Sequence, residues 1–455
     1  MRFPFNIPIN IVLPYSLLVI ALVRLINRLS ISWVEFKGDF LCGFPYYFKL
    51  DQINPSLYQS VKAYSYSSFE NGWYYGPVHH FFHYILILAS DNIEFFMRLL
   101  LIIYILLIVY ILIKFAKETT TYNKHIFTVY IFALTFGSFA FLENLQQRNI
   151  ELLELILLIA MYIALKHKKW IQSSLYLSLT IFAKLIPAIY MLLFLKYKNR
   201  SQITSFFVFS AILILLTSYS LDWNKWLIIY YPSGVEAKYY AKHLNYLHDF
   251  YGLFIHFESI QEFMNSPFIL MANNLEEKNV LHTFGGSFYQ FIVALFTPIT
   301  FQKSGLSFSL LESYLLPNSL FIIILLISFF TSVYYINKSK SHLFTIATTA
   351  LLMLLVLPLS HPYYYVFNLL SLFYITRQLF CLRNSKKGQK PFIAGIIAFI
   401  IINIMLCNFI PVSFIDSIFQ IKSSIEIISI YGVFGFATLL LLILTLYINQ
   451  QSEIE

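Results

Sequence analysis

Charge is scarce in this sequence. Asp, Glu, Lys and Arg make up only 12% of its 455 residues, against about 25% in soluble domains. So few charges cannot clothe a water-facing surface, which excludes an ordinary soluble enzyme. Cysteine is scarcer still. Cys42, Cys381 and Cys407 are the only three, and no two form a C-x-x-C pair, so neither a disulfide framework nor a zinc ribbon is indicated. No G-x-G-x-x-G, Walker A or nucleophile-elbow pattern occurs, which argues against a nucleotide-driven pump. There is no solenoid period and no low-complexity tract. The apolar N-terminal segment lacks a small-residue cleavage site, so it reads as a retained first span and not as a removed signal peptide.

What remains is apolar. Hydrophobic residues make up 59% of the chain and the mean hydropathy is +0.70. An all-α polytopic membrane protein is the class that fits. Apolar runs near residues 8–25, 93–115, 126–142, 150–165, 203–221, 318–336, 342–359, 363–380, 391–410 and 431–448 predict about ten full spans. They belong to one membrane domain covering 1–455. The net charge of +9 does not point to nucleic acid, because Lys and Arg gather in short loops at 114–124, 166–169, 196–200, 338–340 and 377–390. That bias places those loops and both termini in the cytoplasm of a multi-pass cell (inner) membrane protein. Arg24 and Arg28 break the pattern. They fall towards the outer end of the first span, where they suit headgroup snorkelling or attraction of an anionic lipid.

Three segments stand apart from the plain spans. Residues 34–83 form the first extracytoplasmic loop and carry Asp39, Tyr58, Trp73 and Tyr75. An acid just outside the bilayer is costly unless paired or employed, and aromatics there suit the interface or a sugar ring. Residues 222–317 form a long outer segment rich in Trp, Tyr and His. Residues 171–195 have basic flanks on both sides and a centre reading Lys184-Leu185-Ile186-Pro187. Two short arms meeting there would make a broken-helix hairpin whose tip stays at membrane depth, a form tolerated where it lines a cavity. One kinked span with Lys184 buried against a glutamate such as Glu143 fits the same stretch. Glu151 and Glu154 fall in the first turn of the fourth span, where the helix dipole favours acids.

The outer face thus collects Asp39, Tyr75, Gln147, Asn149 and His361, with Lys184 reaching towards it. One acid, buried or interfacial cations and several amides suit transfer of a sugar from a lipid-linked phosphate to a hydroxyl. The carboxylate of Asp39 accepts the acceptor's proton as general base. The departing phosphate needs cationic and hydrogen-bonding groups, not a strong acid. Lys184, Arg148 and His361 are the candidates to hold it; Tyr58, Tyr75, Gln147 and Asn149 are the candidates to hold the sugar. His79 and His83 share a helical spacing but have no nearby carboxylate, so they read as interfacial residues. Nothing in the spacing calls for a cofactor or a metal.

The order of these motifs resembles the bacterial polyprenol-phosphate-dependent mannosyltransferases of glycosyltransferase family 87, within the GT-C superfamily. Gly38-Asp39-Phe40 resembles the acidic start of that family's first outer loop. Leu57-Tyr58 followed by Tyr75-Gly76-Pro77 resembles the stretch that closes it. Gln147-Arg148-Asn149 resembles its "GQ-x-N", and Lys184-Leu185-Ile186-Pro187 its "K-x-x-P". Pro358-Leu359-Ser360-His361 is similar to a later motif, but Tyr363 and Tyr364 stand where the family has histidines. The resemblance implies a GT-C type fold with extracytoplasmic loops. It also implies inverting transfer of a hexose, mannose above all, from a polyprenol-phosphate donor to a glycolipid or glycan acceptor, with Asp39 as the base. A transporter or flippase of a lipid-linked saccharide is the competing expectation. It should show matching broken helices in two halves, and only one such stretch is present. A polysaccharide polymerase or ligase would favour arginine in the long outer segment, which has none.

Overall fold

A computed structural model describes residues 9–34, 55–56, 59, 78, 85, 92–119, 123–184, 186–217, 287–288, 291–292, 299–302, 305–308, 315–356, 362–383, 389–409 and 432–453. Asp39, Tyr58, Tyr75 and His361 lie outside the described residues, as do most of 34–83 and 222–317.

The described chain is a helical bundle. Its helices are α1 (Ile9–Val34), α2 (Ile93–Thr119), α3 (Lys124–Gly137), α4 (Phe139–Gln147), α5 (Glu151–Lys166), α6 (Trp170–Ala183), α7 (Leu192–Tyr197) and α8 (Arg200–Thr217). They continue with α9 (Leu315–Lys338), α10 (His342–Val356), α11 (Asn368–Arg383), α12 (Gln389–Met405) and α13 (Val433–Glu453). Two 3₁₀ turns, Ile186–Met191 and Pro362–Phe367, precede α7 and α11. One small antiparallel hairpin pairs β1 (Ile299–Gln302) with β2 (Gly305–Phe308) in the register Ile299↔Phe308 to Gln302↔Gly305. It is an exception to the all-α expectation.

Fewer full spans than the ten expected are seen among the described residues. Among the described residues five helices are long and apolar enough to cross a membrane, or six if α3 and α4 count as one bent span. The other apolar helices have 10–17 residues, and at about 1.5 Å per residue even the longest falls short of a core about 30 Å thick. Hydropathy counts apolar residues and does not register where a helix bends. The third apolar run shows this, because α3 and α4 meet at 60°.

Ser138 makes that bend. It leaves the helical region at φ −69, ψ 127 and its hydroxyl accepts from the Phe141 N–H at 3.3 Å, the usual service of a helix N-cap. Backbone groups freed by a break must find partners in an apolar setting. Here the Gly137 carbonyl accepts from Arg24 Nη1 at 2.8 Å and from the Phe409 N–H at 2.9 Å, and the Phe139 N–H donates to Asn408 Oδ1 at 3.2 Å. A Cβ at 137 would lie 2.4 Å from the Phe409 ring, so any larger residue there has to push that ring aside.

The helices sort by burial. α5, α10 and α11 are buried along almost their whole length, α11 with Asn368, Ser371, Thr376 and Gln378 enclosed as well, which marks the centre of a bundle. α2, α6 and α13 pack on these three, while α1 rests on α3 and α4 and α8 rests on α6. α1, α8, α9 and α12 turn large apolar side chains outward, among them Ile26, Leu215, Phe330 and Ile397. In lipid such faces need no covering, and close packing with polar ties holds the helices together. Serines supply several ties between α6 and α8: Ser174 Oγ donates to the Gln202 carbonyl at 2.5 Å and Ser178 Oγ to the Phe206 carbonyl at 3.2 Å.

Candidate functional site

The polar residues gather at one end of the bundle, around the turn that joins α4 to α5. α4 ends at Gln147, and Arg148 takes a left-handed conformation at φ 56 with its N–H on the Asn144 carbonyl. The Asn149 N–H returns to the same carbonyl at 3.1 Å. These bonds satisfy orphan carbonyls at the helix end and present Gln147 and Asn149 side by side. Asn149 Nδ2 donates to Gln147 Oε1 at 3.0 Å, while the buried Asn149 Oδ1 has no hydrogen-bond partner among the described residues.

Arg148 is fully buried. Its Nε donates to the Met97 carbonyl at 3.1 Å, Nη1 to the Gln146 carbonyl at 3.1 Å and Nη2 to the Ser32 carbonyl at 2.5 Å. It therefore clamps α1, the first turns of α2 and the α4–α5 turn together. Three of its donors, expected on the donor phosphate, thus face backbone carbonyls.

Arg24 and Arg28 also face protein. Arg28 is paired with Glu143, and Arg24 meets the carbonyls of Gly137 and, at 3.5 Å, Cys407. Both side chains therefore have partners within the protein. Glu143 is thereby taken, and Lys184 pairs elsewhere.

Lys184 sits where α6 stops. Its N–H closes on the Thr180 carbonyl and its backbone is extended at φ −154, ψ 137, as befits a residue three places before Pro187, which cannot continue the helix. The side chain is 1% exposed. Its Nζ donates to Glu151 Oε1 at 2.6 Å and to the Tyr364 hydroxyl at 2.7 Å, and lies 4.3 Å from the centre of the Tyr364 ring. Glu154, one turn along α5 on the same face, is buried too and within electrostatic range of both Glu151 and Lys184. Tyr104 of α2 feels both carboxylates. Glu151 Oε2, Glu154 Oε1 and the Tyr104 hydroxyl have no hydrogen-bond partner among the described residues. The cluster thus holds two carboxylates against one ammonium.

Tyr364 belongs to the 3₁₀ turn Pro362–Phe367, which packs on α4 and α5. Asn144 Nδ2 ties that turn down by donating to the Tyr363 carbonyl at 2.6 Å and to Ala140 O at 2.9 Å. On the other side Val78, directly after Tyr75-Gly76-Pro77 in sequence, clusters with Ile150, Ala183 and Leu213. The geometry therefore brings the α4–α5 turn, the break at Lys184, the 362–367 turn and Val78 to one place. Gln147, Asn149 and Lys184 meet there among the expected site residues. Glu151 and Tyr364 were not anticipated as partners of Lys184. The signal for Glu151 was two acids at i, i+3 opening an otherwise apolar run.

Residues 73–275 match the model of glycosyltransferase family 87. The match covers somewhat less than half of the chain. It includes Tyr75, Gln147, Arg148, Asn149 and Lys184, and leaves Asp39, Tyr58 and His361 outside it. No curated protein and no solved structure matches the chain.

Proposed function

We propose that this membrane protein is a glycosyltransferase that moves a hexose, mannose first among them, from a polyprenol-phosphate donor to an acceptor hydroxyl on the outer side of the membrane. The match to glycosyltransferase family 87 carries the proposal, together with five helices able to span a bilayer. A donor anchored by a lipid tail suits a site built at the end of membrane helices.

In the proposed reaction the acceptor oxygen attacks the anomeric carbon from the face opposite the phosphate. The carbon–oxygen bond to the polyprenyl phosphate breaks, the configuration inverts, and the acceptor's proton passes to the Asp39 carboxylate. Asp39 follows Ser32 by seven residues, at most about 25 Å of chain, and the Ser32 carbonyl is held by Arg148. Gln147 and Asn149, with Tyr58 and Tyr75, are proposed to hold the sugar. His361, which directly precedes the 362–367 turn, is proposed on the phosphate side, where a donor steadies the leaving group. Lys184 is assigned a holding role in place of phosphate binding. Its charge is already met by Glu151 at 2.6 Å, so the cluster offers an anion little attraction.

The test uses purified protein, a short-chain polyprenyl-phosphate mannose and detection of released polyprenyl phosphate. Asp39→Asn keeps size and hydrogen bonding but cannot take the proton, so turnover should fall by about 10²–10⁴ with donor binding retained. Asp39→Glu should recover little, because the base is moved by a methylene. Protein that moves a labelled lipid-linked sugar across vesicles without ever cleaving it is a transporter, and the proposal fails.

A further inference from the structure

α1 has the smallest buried share of the five long helices, 17% of its apolar window against 22–83% for the others. Leu13, Val19, Ile20, Val23, Ile26 and Trp33 all face outward. Between an apolar helix and an apolar bundle, lipid provides no hydrophobic drive towards any one rotation or depth. Something else must set them. The candidates lie along a single stripe. Arg24 reaches the Gly137 carbonyl at 2.8 Å, Arg28 pairs with Glu143, and the carbonyl of Ser32 receives Arg148 Nη2 at 2.5 Å. Residues 24, 28 and 32 are spaced i, i+4, i+8, so they share one face and climb about 6 Å per step. Ser32 Oγ also donates to the Arg28 carbonyl at 2.7 Å, which keeps the last two steps in line.

The partners are ordered in the same way. Gly137 ends α3, Glu143 is in the middle of α4, and Arg148 closes α4. The three contacts therefore run in register along both sides. They bring the end of α1 against the turn that presents Gln147 and Asn149, which is where the loop carrying Asp39 begins.

We propose that Arg24, Arg28 with Glu143, and Arg148 are positioning residues. They fix the rotation and depth of α1, and so the point from which the first loop departs relative to the Gln147–Asn149 turn. The catalytic consequence rests on the glycosyltransferase proposal above; the mechanical one does not. None of the four side chains touches substrate in this scheme. A loop released from its mooring carries its base out of line, and a displacement of about 1 Å can cost about 10²-fold in rate.

Two readouts test this on the full chain in lipid nanodiscs. Spin labels at Ile31→Cys and Gln146→Cys, in a background without Cys42, Cys381 and Cys407, report the distance between α1 and the turn. The distribution should be narrow in the parent, broad in Arg28→Leu and in Glu143→Leu, and narrow again in the exchanged pair Arg28→Glu/Glu143→Arg. Steady-state kinetics on the same variants without labels should show kcat down by about 10²-fold, and recovery in the exchanged pair. Arg148→Leu should behave like Arg28→Leu; if it does not fold, the Arg28–Glu143 series decides. Unchanged distances in Arg28→Leu, or an exchanged pair as broad as the singles, overturn the proposal. Broad distances with normal kcat overturn its catalytic half. A parent with no turnover overturns the glycosyltransferase reading and leaves the distances to judge α1.

Discussion

The cluster around Lys184 makes an ordered prediction about stability. Two carboxylates, Glu151 and Glu154, face one ammonium, and all three side chains are essentially shut away from solvent. Removing one partner of a buried pair leaves an uncompensated charge, at about 3–5 kcal/mol. Lys184→Met leaves two such carboxylates and should be the most damaging. Glu151→Gln leaves the ammonium with Glu154 still in range, so the loss should be smaller. Glu154→Gln leaves the Lys184–Glu151 pair with its 2.6 Å contact intact, and takes away only the ability of this buried side chain to carry a negative charge. It should be neutral or stabilising, since burying an unpaired charge is unfavourable. The double variant Lys184→Met/Glu151→Gln should be more stable than Lys184→Met alone, as expected when both members of a pair are neutralised. Tyr364→Phe, which keeps the ring and loses one hydroxyl bond, should cost about 1 kcal/mol. Denaturant titration of the detergent-solubilised protein, followed by exposure of the buried Cys407 thiol, gives the order. Turnover of the double variant adds a functional reading: recovery with stability marks Lys184 as a holding residue. The reasoning is refuted if Glu154→Gln is as damaging as Lys184→Met, or if the double variant is no better than Lys184→Met.

The other predictions are brief. Gly435→Ala should detach the segment at 287–292 from the bundle, because a Cβ there would sit 2.1 Å from the Phe288 nitrogen; faster proteolysis near residue 290 is the sign to look for. Lys196→Met should destabilise by about 2 kcal/mol, since Lys196 Nζ donates to the carbonyls of Ile336 and Ser339 at 2.9 Å each and to Thr345; the assay is the same denaturant titration. Single cysteines at Ser360 and Gly388 should label from opposite sides in intact cells, with Gly388 the protected one. Equal labelling would place the polar turns on the wrong side for an outer-leaflet donor.

Element positions were largely legible in the sequence, and lengths less so. An apolar run at 93–115 was enough to anticipate α2, found at Ile93–Thr119, because long apolar stretches in a membrane protein are helical by necessity. The bend at Ser138 was hidden inside another such run. The β1–β2 hairpin was missed, although Ser304-Gly305 is a turn signal between alternating residues. Partnerships were the least visible. Arg28 and Glu143, or Lys184 and Glu151, are joined by folding and not by spacing, so a charge inside a span announced only that it needed a partner. Lys184 meets Glu151 and Arg28 meets Glu143 because of how the helices pack, which no local pattern displays.

The glycine at 435 has a consequence for how the protein is made. Its bare backbone leaves room for Ser287 and Phe288 to lie against α13, and Phe291 stacks on Phe436 at 4.2 Å with the rings 10° from parallel. Part of the seat for residues 287, 288, 291 and 292 is thus supplied by a helix translated after α9, α10, α11 and α12. While the ribosome works through those helices, Phe288 has Phe321 of α9 to pack on, at 6.0 Å, but the α13 side of the seat does not yet exist. The final seating of these residues must wait for the insertion of α13, so a chain stalled after α12 should hold its membrane helices yet leave this part of its folding undone.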